Sequence, residues 1–480
     1  MKAAARLREY LSTFCFDDYY FPMDGPFQNY TYFPSASLDE VRACWKKTVR
    51  LMRAGKAPRD LGIYIHWPFC AARCAFCFCS MKTPGSRKEV QRQLDALRRE
   101  MDAFRGIFDK TLFTSLWIGG GTPTFMGDAD LDALLGRVRD SFAFTEDAQI
   151  YVESSPATLT RTKADILARH GVNRITLGVQ SRDAKVLRAA GRRGQSRAVV
   201  DRAFALAAER GLFIDLDLMF GLEGQSRVSF VRDLVWALKR RPQALHLYAF
   251  DPKPQTGYVR AGKRRLAGGR ERLRILMEIA DRLARGAGYR MSRLDPATLM
   301  PDCPEERQDS AVRRQGASVI GFGPSAISHA FGGAWYCHPL VGRGGRAGGI
   351  PPFRLLPSGL DEEMRGYALR NLALFGRIAV KNFYSRFGVE PLRARGVGGA
   401  LQELAASGRL RVDRKSIVYA GRDPVERGIT LKRLYSPRLL GALMRGRRRE
   451  FTAYAKGRNG AAAIADKMED RSLFRAYFRP

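Results

Sequence analysis

Four cysteines lie within ten residues of one another, at Cys70, Cys74, Cys77 and Cys79. The first three have the spacing C-x3-C-x2-C and follow an apolar run at 62–66 that is typical of a β-strand. Thiolates at this spacing can bind three irons of a cubane cluster from one compact loop, which leaves the fourth iron open. An open position on a metal lets a chelating substrate bind there. The pattern therefore predicts a catalytic [4Fe–4S] cluster on Cys70, Cys74 and Cys77.

The other cysteines do not favour a different kind of site. Zinc sites usually combine two close pairs of ligands, whereas Cys303 and Cys337 stand alone downstream. Cys79 follows Cys77 too closely for comfortable cubane geometry, so we predict a neighbour of the cluster rather than a ligand. A disulfide scaffold is disfavoured because the chain is long and its first residues do not have the pattern of a secretory signal.

Polar residues and glycines follow several other predicted strands. A run of three glycines ending at Gly121 follows the second strand, where the backbone could approach a ligand closely. Glu153, Gln180 and Asp217 lie at or near the ends of the next three. Each of these could be a structural turn or a structural polar group when considered alone. Together their carboxylate and amide groups could bind a ribose diol and an ammonium group beside the cysteine loop.

The elements that must position these residues alternate between strand and helix patterns. The helix predicted over 86–108 begins with Ser86 and Glu89, which have the spacing of a capping box, and carries a regular apolar stripe. Alternation of this kind predicts an α/β fold with a parallel sheet. Six units are recognisable, so we predict an open, partial (βα)6 barrel of the TIM type rather than a closed one. The six strands are predicted at 62–66, 115–118, 149–153, 174–180, 213–220 and 244–250.

Changes in composition suggest four parts. Residues 59–335 are predicted to form the barrel, after an N-terminal extension, 1–58, that is rich in aromatic residues. Residues 336–360 are rich in Gly and Pro and are predicted to form a loop. Residues 361–480 are predicted to form a separate, mainly helical C-terminal domain.

The chain is strongly basic, with a formal net charge of +34. Its Arg and Lys residues are spread along the whole sequence and are dense only at 445–449. We therefore interpret the charge as a solvated, Arg-rich surface and do not expect a nucleic-acid partner. No apolar run reaches the roughly 18 residues of a transmembrane helix. We expect a cytoplasmic protein that does not bind membranes.

The motifs resemble the radical SAM (S-adenosylmethionine) superfamily, for which C-x3-C-x2-C is the hallmark. Within it they resemble the oxygen-independent coproporphyrinogen III oxidase family, also called coproporphyrinogen dehydrogenase, which includes haem chaperones and class C methyltransferases. The resemblance covers about residues 29–330. The matching segments are YIHWPFC (64–70), GGGTPT (119–124), ESSP (153–156), LGVQS (177–181), DLMFGL (217–222) and GFGPSAIS (321–328).

The resemblance implies a fold, two cofactors and a set of site residues. SAM would chelate the unique iron of the [4Fe–4S] cluster and be cleaved by one electron to methionine and a 5′-deoxyadenosyl radical. An electron donor of the flavodoxin or ferredoxin type is implied. Residue by residue, it implies that Gly120, Gly121 and Thr122 contact the methionine part of SAM, that Glu153, Gln180, Arg192 and Asp217 bind its amino acid and ribose, and that Tyr64 lies beside the cluster and SAM.

The substrate stays open between several hypotheses. The first is oxidative decarboxylation of porphyrinogen propionates, which would use an acidic, conjugated small molecule. The second is a class C methyltransferase or cyclopropanase that uses a second SAM on a natural product. The third is a haem chaperone, with His246, His329 and His338 as candidate axial ligands. A fourth, RNA modification, rests on the charge alone.

Overall fold

The computed structural model describes residues 33–192, 194–250, 256–261, 269–291, 298–301, 316–341, 350–421 and 430–441, together with residues 427, 445, 448 and 452. Residues 1–32 of the predicted N-terminal extension, Arg193, Cys303 and most of the basic cluster lie outside these residues. The strands in chain order are β1 (Ser35–Ala36), β2 (Leu61–Trp67), β3 (Leu112–Gly120), β4 (Ala143–Ser154), β5 (Arg174–Gln180), β6 (Phe213–Phe220), β7 (Ala244–Ala249), β8 (Arg290–Met291), β9 (Thr298–Met300), β10 (Ser318–Phe322), β11 (Ile327–Ala330), β12 (Ala334–Cys337), β13 (Phe353–Pro357), β14 (Arg377–Ala379), β15 (Leu410–Val412) and β16 (Ser416–Tyr419).

The helices lie mainly between the strands of the barrel and in the C-terminal part. They are α1 (Leu38–Arg53), α2 (Arg87–Arg105), α3 (Asp128–Ser141), α4 (Arg161–Arg169), α5 (Ala184–Ala189), α6 (Arg197–Ala208), α7 (Arg227–Arg240), α8 (Gly257–Arg260), α9 (Gly269–Gly286), α10 (Leu360–Phe375), α11 (Val380–Phe387) and α12 (Val397–Ala406). The hydroxyl of Ser86 caps α2 by accepting from the N–H of Glu89 (3.3 Å). The Glu89 carboxylate instead accepts from the N–H of Gly85 (2.7 Å), so the predicted capping box is only half formed.

The predicted parallel sheet is confirmed and forms the centre of the molecule. Strands β2 to β7 lie side by side in chain order and each pairs in parallel with the next. β2 is buried along its whole length, as expected for a strand covered on both faces. Because the strands are parallel, their carboxyl ends lie along one edge, and the predicted site residues gather there.

The sheet extends beyond the six predicted strands on both sides. β10 pairs in parallel with the outer side of β2, and β11, β12, β13 and β1 continue from it with antiparallel pairing. On the other side, β9 and then β8 follow β7. The prediction that residues 336–360 form a loop is therefore corrected, because this interval contains β13. Phe353 and Leu355 on that strand are buried against the core despite the surrounding glycines and prolines.

The C-terminal part has its own small core. Helices α10, α11 and α12 pack with a three-stranded antiparallel sheet in the order β14-β16-β15. Ile378, Phe383, Leu401 and Ile417 are fully buried among these elements. In the part of the chain that the structure describes, no helix has the length and apolarity needed to span a membrane.

Candidate active site

The loop that carries the cysteines begins where β2 ends and is joined to two neighbouring segments. The N–H of Gly121, just after β3, donates to the carbonyl of Trp67 (2.6 Å). The N–H of Ala75, inside the loop, donates to the carbonyl of Ala190, just after α5 (2.9 Å). The ends of β2, β3 and α5 therefore set the position of the three cysteines.

The glycines after β3 are required by the close approach of these segments. A Cβ on Gly121 would lie 2.5 Å from the carbonyl oxygen of Phe69, which is closer than real Cβ atoms come to any oxygen. Gly120 has a φ of +103°, and a Cβ there would lie 2.5 Å from the ring of His66. Larger residues would displace either this turn or the start of the cysteine loop.

The three predicted ligands share one loop, and two polar groups touch their sulfurs. The Sγ of Cys70 lies 3.2 Å from the hydroxyl of Thr122. The Nη1 of Arg192 donates to the Sγ of Cys74 (3.6 Å). The N–H of Cys77 donates to the carbonyl of Cys74 (3.0 Å), which closes a turn between these two ligands.

The thiols are not arranged around a single point. Among the described residues, no three His, Cys, Asp or Glu side chains are placed to hold one metal ion. In a cubane each thiolate binds a different iron, so the sulfurs surround the cluster instead of converging. Burial raises the pKa of Cys70 to about 12. A hydrogen bond from the Cys79 thiol lowers the pKa of Cys77 to about 7, which places Cys79 directly beside a predicted ligand.

Glu153, at the carboxyl end of β4, reaches across to β3. Its carboxylate accepts from the indole N–H of Trp117 (3.0 Å) and from the N–H of Gly120 (3.1 Å). Burial and the nearby charge of Asp217 raise the pKa of Glu153 to about 7. A carboxylate in this state is stabilised by a cationic or hydroxyl group that approaches it.

Tyr64 is buried and belongs to a relay of hydrogen bonds with His66, which lies in the matching segment 64–70 but was given no role there. Its hydroxyl donates to the Nδ1 of His66 (2.9 Å), whose Nε2–H donates to the carbonyl of Ser80 (2.8 Å). This assignment follows because a carbonyl can only accept. Burial lowers the pKa of His66 to about 4, so the ring is neutral at physiological pH. The relay connects β2 to the segment that follows Cys79.

Gln180 ends β5, and Asp217 lies on the neighbouring strand β6 opposite Gly178. Gln180 has a φ of +64°, and the pairing of β5 with β6 is irregular between Gly178 and Gln180. A Cβ built on Gly178 would lie 3.1 Å from the Nε2 of Gln180 and 4.0 Å from the Oδ2 of Asp217, so both side chains face the same space. The Oε1 of Gln180 is buried and has no hydrogen-bond partner among the described residues. A buried amide oxygen of this kind is stabilised when a ligand donates to it.

Arg192 is fixed by residues that sequence reasoning missed. Its Nη2 donates to the hydroxyl of Ser155 (3.2 Å) and to the carbonyl of Gly178. Both Nε (3.1 Å) and Nη2 (2.8 Å) donate to the Oε1 of Gln195. Gln195 is in turn held by Val179, whose carbonyl accepts from its Nε2 (2.7 Å). The only sequence signal for Gln195 was its place in a short Gly-Gln-Ser segment before a helix.

The part of the chain that holds these residues is similar to a known protein family. The model of the radical SAM superfamily matches residues 64–237, which include the cysteine loop and every site residue described above. Residues 64–237 of this chain therefore form a radical SAM domain. A domain of this family implies a [4Fe–4S] cluster and SAM as cofactors.

The relatives of this radical SAM chain confirm the resemblance seen in its motifs. The oxygen-independent coproporphyrinogen III oxidase of Pseudomonas aeruginosa is 27% identical over 422 residues, which are 83% of this chain and 90% of the relative. That of Helicobacter pylori is 30% identical over 245 residues, so the match covers only 53% of that relative. A haem chaperone of Mycobacterium tuberculosis is 30% identical over 215 residues and 55% of its length.

A solved structure confirms the radical SAM fold. The coproporphyrinogen III oxidase of Escherichia coli superposes with a TM-score of 0.66 and 21% identity over 82% of this chain and 92% of the other. The site residues fit the two cofactors of the superfamily, because the thiols share one loop while the unpartnered oxygen of Gln180 and the carboxylate of Glu153 lie on the neighbouring strand ends.

Proposed function

We propose that this chain is a hydrogen-abstracting radical SAM enzyme that oxidatively decarboxylates propionates of a porphyrinogen. One observation carries the proposal: the cysteine loop, Gly120, Glu153, Gln180 and Asp217 lie at or near the carboxyl ends of five adjacent parallel strands, so they share one edge of the sheet. That edge offers three thiols, a buried amide oxygen and carboxylates to one ligand. The first relatives match over about half of their length, so their activity supports this proposal without establishing it.

The chain's own residues would divide the work at this site. Cys70, Cys74 and Cys77 would hold the cluster, and Tyr64 would lie beside the cluster and SAM. The bound cluster and SAM would supply one-electron cleavage of SAM to a 5′-deoxyadenosyl radical. Asp217 would bind ribose hydroxyls, since ionised carboxylates only accept hydrogen bonds.

The other predicted residues would bind the amino-acid part of SAM. Glu153 would accept from its ammonium group, a contact that would offset the cost of a buried carboxylate. Arg192 would hold its carboxylate, for which a guanidinium is well shaped. Gly120, Gly121 and Thr122 would let the backbone approach the methionine, and Gln180 would orient it.

The substrate class rests on charge and on the relatives. A porphyrinogen with four propionates is a tetra-anion, and propionates pair well with Arg side chains. The chain's charge of +34 suits such a substrate. The match to the Pseudomonas oxidase over 90% of that protein supports this substrate more than a natural product. We further propose a flavodoxin- or ferredoxin-type electron donor and a cytoplasmic location.

The histidines give less support to the haem-chaperone alternative. His329 is buried, with its Nε2 3.0 Å from the carboxylate of Glu363 and its Nδ1 3.1 Å from the carbonyl of Ala317. His338 is also buried, and its ring nitrogens face Glu100 and the carbonyl of Ala326. An axial haem ligand needs a free ring nitrogen that faces the haem. Two of the three candidate ligands therefore lack that nitrogen.

The test is an anaerobic reaction of reconstituted protein with SAM, a chemical reductant and coproporphyrinogen III. Each propionate would lose one hydrogen atom to the deoxyadenosyl radical and then carbon dioxide and one electron, which would pass to a one-electron acceptor. We expect 5′-deoxyadenosine, carbon dioxide and a vinyl-bearing porphyrinogen. Changing any one of Cys70, Cys74 and Cys77 to Ala should abolish all three products, whereas Cys44→Ala, a partly buried cysteine on α1, should retain them. Deoxyadenosine without carbon dioxide would reject the porphyrinogen substrate. Transfer of a labelled methyl group from SAM would favour the methyltransferase.

A further inference from the structure

The cysteine loop has an outer side that the rest of the site does not use. Residues 71–73 are exposed, although the cysteines on either side of them are partly buried. The loop is joined to the end of α5 through the hydrogen bond from Ala75 to Ala190. A Cβ on Gly191 would lie 3.9 Å from the carbonyl oxygen of Arg73, so the segment after α5 borders this exposed stretch.

Exposed cations border the same stretch of chain. Arg188 and Lys185 lie on α5 and are both exposed. The aliphatic part of Lys185 lies near Gly224, where a built Cβ would be 3.5 Å from the Cγ of Lys185. Arg227, three residues after Gly224, is also exposed and is the first residue of α7. We call residues 71–73 together with Lys185, Arg188 and Arg227 the basic rim.

The acidic groups near the basic rim do not cancel its charge. Asp183 is partly buried, and its carboxylate accepts from the N–H groups of Lys185 (2.9 Å) and Val186 (3.2 Å) as the cap of α5. Glu223 is partly buried beside Tyr258. Against these two carboxylates the rim has four exposed cations, which are Arg73, Lys185, Arg188 and Arg227. The Arg73 guanidinium also donates to the carbonyls of Cys79 (3.4 Å) and Met81 and so lies along the cysteine loop.

We propose that the basic rim is the docking surface for an acidic one-electron donor protein of the flavodoxin or ferredoxin class. This inference rests on the proposed function, which requires one electron from outside for each SAM cleaved. In the transfer the donor is oxidised by one electron and the protein-bound cluster is reduced by one. Electron transfer slows steeply with distance, so a donor must dock where the cluster loop reaches the surface, and 71–73 is such a place.

The character of the basic rim suits a transient complex. Encounters between redox proteins bury small areas and depend on complementary charge more than on apolar contact. Clustered charge of one sign accelerates the association of an oppositely charged partner by about 10- to 1,000-fold at low ionic strength. Salt screens this effect, so docking on the rim should weaken as ionic strength rises.

The experiment compares two charge-reversal variants of the full-length protein, with a bacterial flavodoxin as the probe. Lys185→Glu/Arg188→Glu reverses two charges of the basic rim. Arg411→Glu/Arg414→Glu reverses two exposed charges of the β15–β16 hairpin and serves as the matched control. Equal thermal unfolding midpoints would show that both variants fold.

Two readouts separate docking from catalysis. The first is the Kd of flavodoxin for the apoprotein, measured by biolayer interferometry at low and high salt. At low salt we expect the Kd of the rim variant to be at least about tenfold higher than that of the wild type, and the Kd of the control to be unchanged. The second is deoxyadenosine formation, which should fall for the rim variant with reduced flavodoxin but not with dithionite.

An unchanged Kd in the rim variant, or an equal loss in the control, would overturn the docking surface. A wild-type protein that forms no deoxyadenosine with dithionite would instead contradict the proposed function. The binding measurement would still decide the docking surface in that case, because it needs no cluster.

Discussion

At the scale of single residues, Glu153 shows how surroundings set chemistry. The same carboxyl group would have a low pKa on the surface, whereas burial and Asp217 raise its pKa to about 7. A raised pKa means that the folded protein binds a proton more tightly than the unfolded chain does. Ionisation of this group therefore costs stability as the pH rises above its ordinary pKa of 4.5.

We predict that Glu153→Gln removes this cost in the apoprotein. Between about pH 4.5 and about pH 7 the free energy of unfolding of the wild type should fall by on the order of 3 kcal/mol, whereas that of the variant should not fall in this way. The size follows because one pKa unit corresponds to about 1.4 kcal/mol. Urea unfolding at about pH 5 and about pH 8 measures the difference. Glu146→Gln, an exposed residue on the same strand, is the control. Parallel pH profiles for the wild type and Glu153→Gln would contradict the prediction.

Gln195 allows a second prediction, because its amide oxygen accepts two hydrogen bonds from Arg192 and so orients that side chain. Gln195→Ala removes the acceptor of two guanidinium hydrogen bonds and leaves the buried carbonyl of Val179 without this donor. We expect a loss of about 1–3 kcal/mol in stability and weaker SAM binding by isothermal titration calorimetry.

A purely structural role for Gln195 would leave the cluster unchanged. We expect instead a shift in its midpoint potential, because the guanidinium beside Cys74 would no longer be held in place. Gln195→Glu keeps an acceptor for Arg192 and should restore most of the SAM affinity. Equal SAM affinity in the wild type and Gln195→Ala would rule out the positioning role.

The site residues that could be predicted from sequence were those in motifs. Cys70, Glu153 and Gln180 lie in short segments whose spacing or place after a strand indicates chemistry. Gln195 and Ser155 could not be predicted in their roles, because their function is to bond to Arg192 from other turns. Contacts that depend on tertiary geometry leave little trace in a single sequence.

At the scale of elements, the turn after β3 and the cysteine loop act as one unit. The backbone of Gly121 is packed against Trp67 and Phe69, which leaves no room for a side chain. We predict that Gly121→Ala displaces the loop, costs about 1–3 kcal/mol in stability and lowers iron and sulfide content after reconstitution.

Gly106→Ala provides a control for this change, because nothing lies within 4 Å of a Cβ built there. Iron and sulfide analysis of both variants, alongside urea unfolding, measures the two effects. A Gly121→Ala protein that loads the same amount of iron as the wild type would contradict the proposed packing constraint.

The elements differed in how clearly the sequence indicated them. β2 to β7 are apolar runs between helices, and all six were predicted. β10 and β13 are five residues each, and β13 lies in a segment rich in Gly and Pro. Composition favoured a loop there, but pairing with β12 and burial of Phe353 stabilise a strand. Tertiary pairing of this kind overrides local preference.

At the scale of the whole molecule, a buried carboxylate connects the main sheet to the C-terminal part. The Oε1 of Glu363 in α10 accepts from His329 (3.0 Å), from the N–H of Gly332 (3.0 Å) and from the hydroxyl of Ser358 (2.7 Å). Burial opposes ionisation of Glu363, but these partners hold its pKa below the ordinary value. The ionised Glu363 carboxylate therefore stabilises the folded protein above about pH 4.5. This stabilisation is lost as the pH falls through the lowered pKa.

We predict that Glu363→Ala destabilises the protein by about 3–5 kcal/mol at neutral pH, because it leaves His329 buried without its partner. Glu390→Ala, at an exposed position of the C-terminal part, should cost less than about 1 kcal/mol. Urea unfolding of the two variants gives both values. A loss below about 1 kcal/mol for Glu363→Ala would show that this network does not join the two parts.

The two outermost strands of the large sheet have a consequence for behaviour at high concentration. Within the described residues the sheet runs through thirteen strands and ends in β1 and β8, which are two residues long each. Edge strands this short expose few free backbone donors and acceptors to a neighbouring molecule. Among the residues that the structure describes, these two edges of the large sheet therefore offer little template for polymerisation through added strands, despite a wide and strongly apolar interior.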